Sequence, residues 1–540
     1  MLRFARPAIV GAVLTAAVLL GAPSTALAHA SLESSIPASN SVLEEAPTAI
    51  VLNFDDAIEV GVASIELFDG NGDAIAVDKP QQGDDETQLT ASVADLADGL
   101  YAVIWRVTSA DGHPIDGSFS FQIGTSTGGV SGDELIEQVR GDARSPASVR
   151  WAYGIGRFLS VLGAIAVIGA GGWLLIGASA AGDRELARRW CRAAGIVFAF
   201  GTVMAFAMFA SQATAGSIGD AFDPSVWRKV AGIDTGRALL LRCVFASVVL
   251  ALAIQWDRRQ RGWWRGVAAT ASVLGLATFP LAGHPNSSSP RLWWFAVDFV
   301  HLAGIAVWIG GLFALLLCGR ELLATADGER IARRYSTAAT ISVPLIVGTG
   351  VLQAWKLAGS FDDVAATDWG RILLIKSTLV VILLAVAGVS RWLLLHDGSG
   401  SIRRTIVVEA IIGIAVLGLA AGMVGLPPAP VVVAKPFAVQ LTASGMIVDI
   451  TLGPGSVGSN ELHVVITPPG GSIVPVIAAA ARVELPSEGV PSAPVQLVGE
   501  GANHYSGFIT FPRSGDWELE VIIEVTAGET ALVKATIPIP

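Results

Sequence analysis

Charged residues and cysteines are both scarce in this sequence. Only 15% of its 540 residues are charged, against about 25% in a typical soluble domain, while 52% are hydrophobic. This balance excludes a wholly soluble enzyme and a disordered chain, and the net charge of -11 argues against a nucleic-acid partner. Three cysteines in a chain of this length also exclude a disulfide framework.

The sequence has no glycine-rich phosphate loop and no aspartyl-phosphate loop. The connections predicted for the cytoplasmic side of its apolar region are all short. We therefore expect no ATP-driven step and no enzymatic activity. Any solute that the chain moves would run downhill, be coupled to an ion or be driven by a partner.

The charges that are present divide the chain into three parts. Residues 29–149 hold 21 acidic and 4 basic residues, residues 150–430 hold 15 and 25, and residues 431–540 hold 10 and 4. A basic, apolar middle between two acidic ends predicts a membrane domain flanked by two water-facing domains on one side of the bilayer.

The N-terminus has the pattern of a secretory signal peptide over residues 1–28. Arg3 and Arg6 precede an apolar stretch at 8–20, and residues 26–28 form a small-x-small cleavage site. Cleavage there makes His29 the first mature residue. The alternatives are an uncleaved anchor or a cut one or two residues away. The domain that follows is predicted to be extracytoplasmic.

The middle of the chain predicts eight membrane helices, because each span needs about 20 apolar residues. They lie near 152–179, 190–213, 237–256, 266–283, 293–318, 336–357, 371–394 and 405–426. Arginines are concentrated after the first, third, fifth and seventh spans. The positive-inside rule then places both termini outside the cytoplasm, in a multi-pass protein of the plasma membrane.

The two flanking segments alternate strand-like runs with turns. We predict a β-sandwich or Greek-key barrel at 29–124, a linker at 125–149, an eight-helix membrane domain at 150–426, a proline-rich linker at 427–436, and an immunoglobulin-like β domain at 437–540. The fold class is thus a multidomain membrane protein with β domains at both ends.

Three residues of the first domain form a candidate metal site. The mature His29 offers its α-amine and its ring, while Asp111 and His113 lie two residues apart on one turn. Nitrogen and oxygen ligands of this kind suit Cu(II), whereas Cu(I) prefers sulfur, and residues 29–149 contain neither Met nor Cys. The alternative is two unrelated surface histidines beside an Asp-Gly turn.

The same residues carry a resemblance to a known family. The start His29-Ala30-Ser31-Leu32-Glu33 and the run Ser109-Ala110-Asp111-Gly112-His113-Pro114 resemble the CopC family of periplasmic copper-binding proteins. That resemblance implies a Greek-key β-barrel with Cu(II) bound by His29, Asp111 and His113. It also shows a departure, because the methionine-rich Cu(I) site of some members is absent from this sequence.

The membrane part is similar to the CopD family. The residues that carry this similarity are Gly283-His284-Pro285, the run 299–304 around His301, and 307–312, with support from 370–376 and Glu409. The C-terminal segment resembles YtkA-like domains. Together these resemblances imply a fused CopC–CopD protein of copper resistance or import.

Ionisable residues inside a span are functional candidates. His301 and Asp298 share one face of the fifth span, where Asp298 would orient the imidazole, and His284 lies at the mouth of the fourth. We predict a copper path through His284 and His301. The alternative is a histidine that only hydrogen-bonds within the bundle. Glu409 is a candidate ion-pair partner of Lys376 or a proton relay.

These observations together favour copper binding and import, with Cu(II) captured outside and passed to the membrane domain. The expected partners are copper ions, the lipid bilayer, and a copper chaperone or reductase, with no nucleic acid. One alternative is a membrane-anchored copper buffer or sensor that transports nothing. Another is a redox protein with His284 and His301 as ligands of a b-type haem. In the tail, His463 and His504 are predicted to be ordinary strand histidines.

Overall fold

The computed structural model describes residues 30, 32–39, 41–43, 45–124, 132–139, 145–177, 181–255, 262–323, 326–358, 364–365, 367–396, 402–423, 426, 437–453, 455, 457–467, 476–501, 503–526 and 528–539. The predicted signal peptide, His29 and the predicted linker at 427–436 lie outside this described part. The chain separates into two compact units, one of 1–29, 108–114 and 144–429, the other of 30–107, 115–143 and 430–540.

The N-terminal strands of the second unit form a two-sheet sandwich. One sheet has the order β1-β3-β7-β6 and the other the order β2-β9-β8-β4-β5. The strands are β1 (Leu32–Ile36), β2 (Val42–Leu43), β3 (Ala49–Phe54), β4 (Ile58–Asp69), β5 (Ala74–Ile75), β6 (Gln81–Gln82), β7 (Gln88–Ser92), β8 (Gly99–Ser109) and β9 (Pro114–Ile123).

Strand alternation builds the core of this sandwich. In β3, Ile50, Leu52 and Phe54 are buried while the residues between them are half-buried, as expected for a strand with one face on the core. Tyr101 and Phe121 stack on neighbouring strands of the other sheet. A short helix, α1 (Gly132–Val139), lies within the predicted linker at 125–149.

The C-terminal strands of the same unit form a second two-sheet sandwich, with sheet orders β10-β11-β12-β16-β15 and β14-β13-β17-β18. The strands are β10 (Phe437–Ala443), β11 (Met446–Gly453), β12 (Gly458–Thr467), β13 (Ala478–Leu485), β14 (Val490–Val495), β15 (Val498–Gly501), β16 (His504–Phe511), β17 (Gly515–Thr526) and β18 (Glu529–Ile539). One cluster of buried side chains from both sheets forms its core. The predicted strand-rich C-terminal domain is confirmed.

The first unit is mostly helical. Its helices are α2 (Ala147–Ala164), which continues through a π-helical segment (Ile165–Ala170) into α3 (Gly171–Gly177), then α4 (Ala181–Ala213), α5 (Pro224–Val230), α6 (Asp234–Ile254), α7 (Gly262–Ala277), α8 (Arg291–Leu323), α9 (Ala326–Ala358), α10 (Asp368–His396) and α11 (Arg403–Met423). Within the described residues, seven stretches are long and apolar enough to cross a membrane.

The fourth of the eight predicted spans is shorter than expected. Instead of one helix over 266–283, α7 ends at Ala277 and is followed by 3-10 turns at Pro280–Ala282 and His284–Ser287. Pro280 and Pro285 explain the break, because proline lacks the amide hydrogen that an α-helix needs. The break puts His284 in a turn rather than in a helix.

Small residues let two helices approach closely at the centre of the bundle. A Cβ added to Gly310 on α8 would lie 2.6 Å from the Cα of Gly169 in the π-helical segment. Such contacts are typical of helix packing in membranes, where close backbone approach replaces the hydrophobic effect as the driving force. This packing fixes α8, which carries Asp298 and His301.

Candidate metal centre

A tight turn between β8 and β9 presents Asp111 and His113. The amide of Gly112 donates to the carbonyl of Ser109 at 2.8 Å, and the amide of His113 donates to Asp111 Oδ1 at 3.1 Å. Gly112 has a φ of 88°, a left-handed conformation that glycine adopts without steric cost. The turn therefore holds the aspartate and the histidine beside each other.

The 3-10 turn at His284–Ser287 adds a third side chain, that of His284. Asp111 Oδ2 lies 2.9 Å from His113 Nδ1 and accepts a hydrogen bond from His284 Nδ1 at 3.1 Å. The two imidazole rings stack with centroids 5.3 Å apart and planes 12° from parallel. The Asp111 side chain is fully buried, while those of His113 and His284 are 20% and 32% exposed.

This arrangement fits a metal ion. One ligand atom from each of the three side chains lies within 4.8 Å of the other two. Two ligands that each lie about 2.0–2.1 Å from an ion, at a right angle, are about 2.9 Å apart. The spacings from Asp111 Oδ2 are therefore those of neighbouring ligands around one ion. The donor set of two imidazoles and a carboxylate suits copper or zinc.

The structure thus brings together three of the predicted residues, but in a different grouping. Asp111 and His113 were predicted as one site, and His284 as a separate ligand further along a copper path. In the structure, His113 and His284 both contact the same oxygen atom of Asp111. His29, the predicted first ligand, lies outside the described residues, so its part in the site stays a prediction.

His301 lies about 15 Å along α8 from the start of that helix at Arg291. Its Nδ1 is 2.8 Å from Thr349 Oγ1, and that hydroxyl donates its hydrogen to the carbonyl of Leu345 at 2.6 Å. When the hydroxyl donates to this carbonyl, Thr349 accepts from His301, and the imidazole hydrogen is then on Nδ1 with a lone pair on Nε2. A neutral imidazole in this form can bind a metal through Nε2.

The orienting partner of His301 is therefore Thr349 rather than Asp298. Among the described contacts, no hydrogen bond joins Asp298 to His301, although the two share a helix face. Thr349 lies on α9, 48 residues away, so the sequence spacing that suggested Asp298 carried no information about it. Gly350, next to it, leaves room for the ring, because a Cβ there would lie 3.2 Å from His301 Cε1.

Lys356 places a positive charge next to the turn that carries His284. It is buried, its Nζ donates to Ser288 Oγ, and Ser288 Oγ donates to the carbonyl of His284. The ammonium also lies 4.5 Å from the centre of the Trp294 ring. In the sequence, the only signal for this residue is a lysine near the C-terminal end of an apolar segment.

Glu409, on α11, lines a cavity of about 290 Å³ near the C-terminal half of α8. Residues of α8, α9, α10 and α11 form the walls of this cavity. It accepts a hydrogen bond from Ser390, and no ion pair with Lys376 occurs among the described residues. The predicted Lys376–Glu409 pair is wrong, because Lys376 lies 14 residues before Ser390, about 21 Å along α10.

Three family models match this chain. The model described as "CopC domain" matches residues 32–124, "Copper resistance protein D-like, N-terminal domain" matches 147–289, and "Copper resistance protein D" matches 329–423. These ranges end before the C-terminal sandwich, so its resemblance to YtkA-like domains stays a prediction.

Individual proteins are also similar to this chain. The chain is 28% identical over 466 residues to the copper transport protein CutJ of Bacillus subtilis (strain 168), with 84% of each chain covered. It is 35% identical over 98 residues to protein YobA of Escherichia coli (strain K12), covering 18% of this chain and 79% of YobA. The crystal structure of CopC from Methylosinus trichosporium OB3b shares 29% identity, covers 18% of this chain and 93% of that one, and gives a TM-score of 0.17.

The family matches, the strand-rich N-terminal domain and the apolar helices all lead to one assignment. Relatives along the chain are proteins of copper resistance and copper transport. The chain belongs to the copper resistance proteins that join a CopC domain and a CopD membrane domain in one polypeptide.

Proposed function

We propose that this protein imports copper across the plasma membrane. Cu(II) is captured outside the cytoplasm by His29, Asp111 and His113, and is then passed through His284 toward His301. The observation that carries this proposal is the shared oxygen, Asp111 Oδ2, which lies 2.9 Å from His113 Nδ1 and 3.1 Å from His284 Nδ1.

The shared carboxylate supports transfer without release into water. An ion held by Asp111 and His113 gains His284 as a ligand before it loses His113, since both rings meet the same oxygen. In such a transfer, each metal–ligand bond is replaced before the next one breaks. The ion therefore never loses all of its ligands, which would be energetically costly. The partial exposure of both histidines supports loading from solution.

The next station is His301, whose Nε2 lone pair is set by the Thr349 hydrogen bond. The Lys356 ammonium disfavours a cation near the His284 turn, so copper would pass only when this charge is displaced or neutralised. Inward movement rests on the positive-inside orientation. If Cu(I) is the species that crosses, a reductase must act first, and a chaperone would receive the ion.

Accumulation of radiolabelled copper in cells tests the proposal. Wild type would be compared at equal expression with His113→Ala, His284→Ala and His301→Ala, and with His396→Ala, an exposed histidine at the end of α10. We expect accumulation above that of empty cells, lost in the first three variants and kept in His396→Ala.

Accumulation equal to that of empty cells would contradict import. If the purified protein still binds copper, the anchored buffer or sensor takes its place. A Soret band in the purified protein would instead identify a b-haem protein, in which His284 and His301 bind the iron.

A further inference from the structure

The C-terminal sandwich carries a histidine pair on the outer face of one sheet. In β12, Leu462 and Val464 are fully buried in the core between the sheets, so His463 points to the opposite face. His504 on β16 pairs in register with Val465, and His463 pairs with Ser506. The two histidines are therefore diagonal neighbours on the same face.

This outer face is nevertheless buried at the pair. His463 is 6% exposed and His504 is 1% exposed. β12 has β11 and β16 on either side, and its inner face meets the second sheet. β1 also approaches β12 within the same unit. Two imidazoles are thus held away from water without being part of an apolar core.

The two rings face each other through nitrogen atoms. His463 Nδ1 lies 3.1 Å from His504 Nε2, and the ring centroids are 5.3 Å apart. On the far side of the first ring, Glu461 Oε1 lies 3.6 Å from His463 Nε2. The carboxylate favours a hydrogen on that Nε2, which leaves the Nδ1 lone pair directed at His504.

The other nitrogen of His504 is buried and unused. Its Nδ1 has no hydrogen-bond partner among the described residues. Burial and the neighbouring His463 lower the pKa of His504 to about 4, so the ring is neutral at pH 7. A neutral imidazole with two nitrogens can move its hydrogen to Nδ1 and free Nε2 for another bond.

We propose that His463 Nδ1 and His504 Nε2 are ligands of a second transition-metal site, with Glu461 orienting His463 from behind. Their 3.1 Å separation is that of two nitrogens about 2 Å from one ion. A carboxylate behind a metal-binding histidine is the usual supporting arrangement. Imidazole ligands select a divalent ion such as Cu(II) or Zn(II), and Cu(II) binds most strongly in that series.

Counting bound Cu(II) in the purified full chain tests this site. The test uses a background variant that lacks the Asp111 centre and also lacks His29, the further ligand predicted for that centre. This background variant carries His29→Ala, Asp111→Asn, His113→Gln and His284→Gln. After copper loading and desalting, this background should keep one ion per chain with nitrogen splitting in its EPR spectrum. Adding His504→Gln should remove that ion.

One control and two contradicting results complete the test. In the wild-type chain His396→Gln should leave the copper count unchanged, because this histidine is exposed and its Nδ1 contacts the carbonyl of Trp392 one turn earlier on the same helix. A background variant that folds but keeps no copper would overturn the proposal without any change to the pair itself. Equal copper counts with and without His504→Gln would overturn it as well. Neither result depends on transport.

Discussion

The two histidine clusters of this protein differ in how they are held together and in their access to water. In the first, the Asp111 carboxylate lies between the partly exposed rings of His113, on the same turn, and His284, 173 positions from Asp111 in sequence. In the second, two buried rings on neighbouring strands face each other with no carboxylate between them. A carboxylate oxygen shared between two partly exposed rings favours exchange of an ion, whereas a buried nitrogen pair favours retention. The comparison predicts fast loading at Asp111 and slow exchange at His463 and His504.

The largest expected difference between the clusters is the loss of folding stability that acid causes at the second one. The pKa of His504 is about 4 in the folded chain, against about 6.5 when unfolded. Between these values the unfolded chain binds more protons, so stability falls as the pH drops from about 6.5 to about 4, by about 3 kcal/mol in total. Hydrogen exchange of the β12 and β16 amides, corrected for intrinsic rates, should show this loss.

His504→Gln should flatten the pH profile of the C-terminal sandwich, while His396→Gln should leave it as in wild type. The same loss of protection in both variants would mean that other groups cause the acid sensitivity. The burial of His504 would then carry no energetic penalty on protonation.

Removing the shared carboxylate is expected to break the first cluster. Asp111→Asn takes away the negative oxygen that meets both His113 and His284. Since a ligand and its charge are lost together, we expect copper affinity at this centre to fall about 100-fold, or about 2.7 kcal/mol. Competition against a chelator of known affinity measures it.

Asp116→Asn is the matched control for Asp111, because Asp116 lies on β9 beyond the same turn and 4.0 Å from Arg106. It should leave copper affinity within about twofold of wild type, as no ligand is touched. An equal fall in both variants would attribute the effect to loss of negative charge around the turn rather than to a bond at Asp111.

Local patterns made part of this molecule predictable. The Asp-Gly-His turn lies within three residues, and hydropathy located the seven long apolar helices, though not the break in the fourth predicted span. The grouping of His284 with that turn depends on packing over 173 positions, which no spacing reveals. The same holds for Thr349. It also holds for His463, whose place on an outward strand face predicts exposure although only 6% of the residue is exposed.

Outside the two clusters, His301 resembles His113 and His284 in that its Nδ1 contacts a side-chain oxygen. Thr349→Val removes the acceptor of the Nδ1 hydrogen, while Thr349→Ser keeps it. Loss of an orienting partner typically costs 10–100-fold in metal affinity, so we expect about a tenfold fall in copper accumulation for Thr349→Val and recovery in Thr349→Ser.

Thr378→Val is the control for Thr349, because its hydroxyl donates to the Leu374 carbonyl one turn earlier on an exposed face of α10. Copper binding at the Asp111 centre should be unchanged in both threonine variants. Normal accumulation in Thr349→Val would mean that the His301 tautomer has no part in copper movement.

The smallest expected change in copper affinity comes from Glu461, the carboxylate behind His463. Glu461→Gln removes the charge 3.6 Å from His463 Nε2, too far for a good hydrogen bond, so copper affinity of the second cluster should fall only about threefold. Glu518→Gln, on an exposed position of β17, removes an equal charge from the same sandwich and should change nothing measurable. Chelator competition in the background without the Asp111 centre distinguishes the two. A fall as large as that of Asp111→Asn would show that Glu461 itself binds the ion, and the second cluster would then resemble the first.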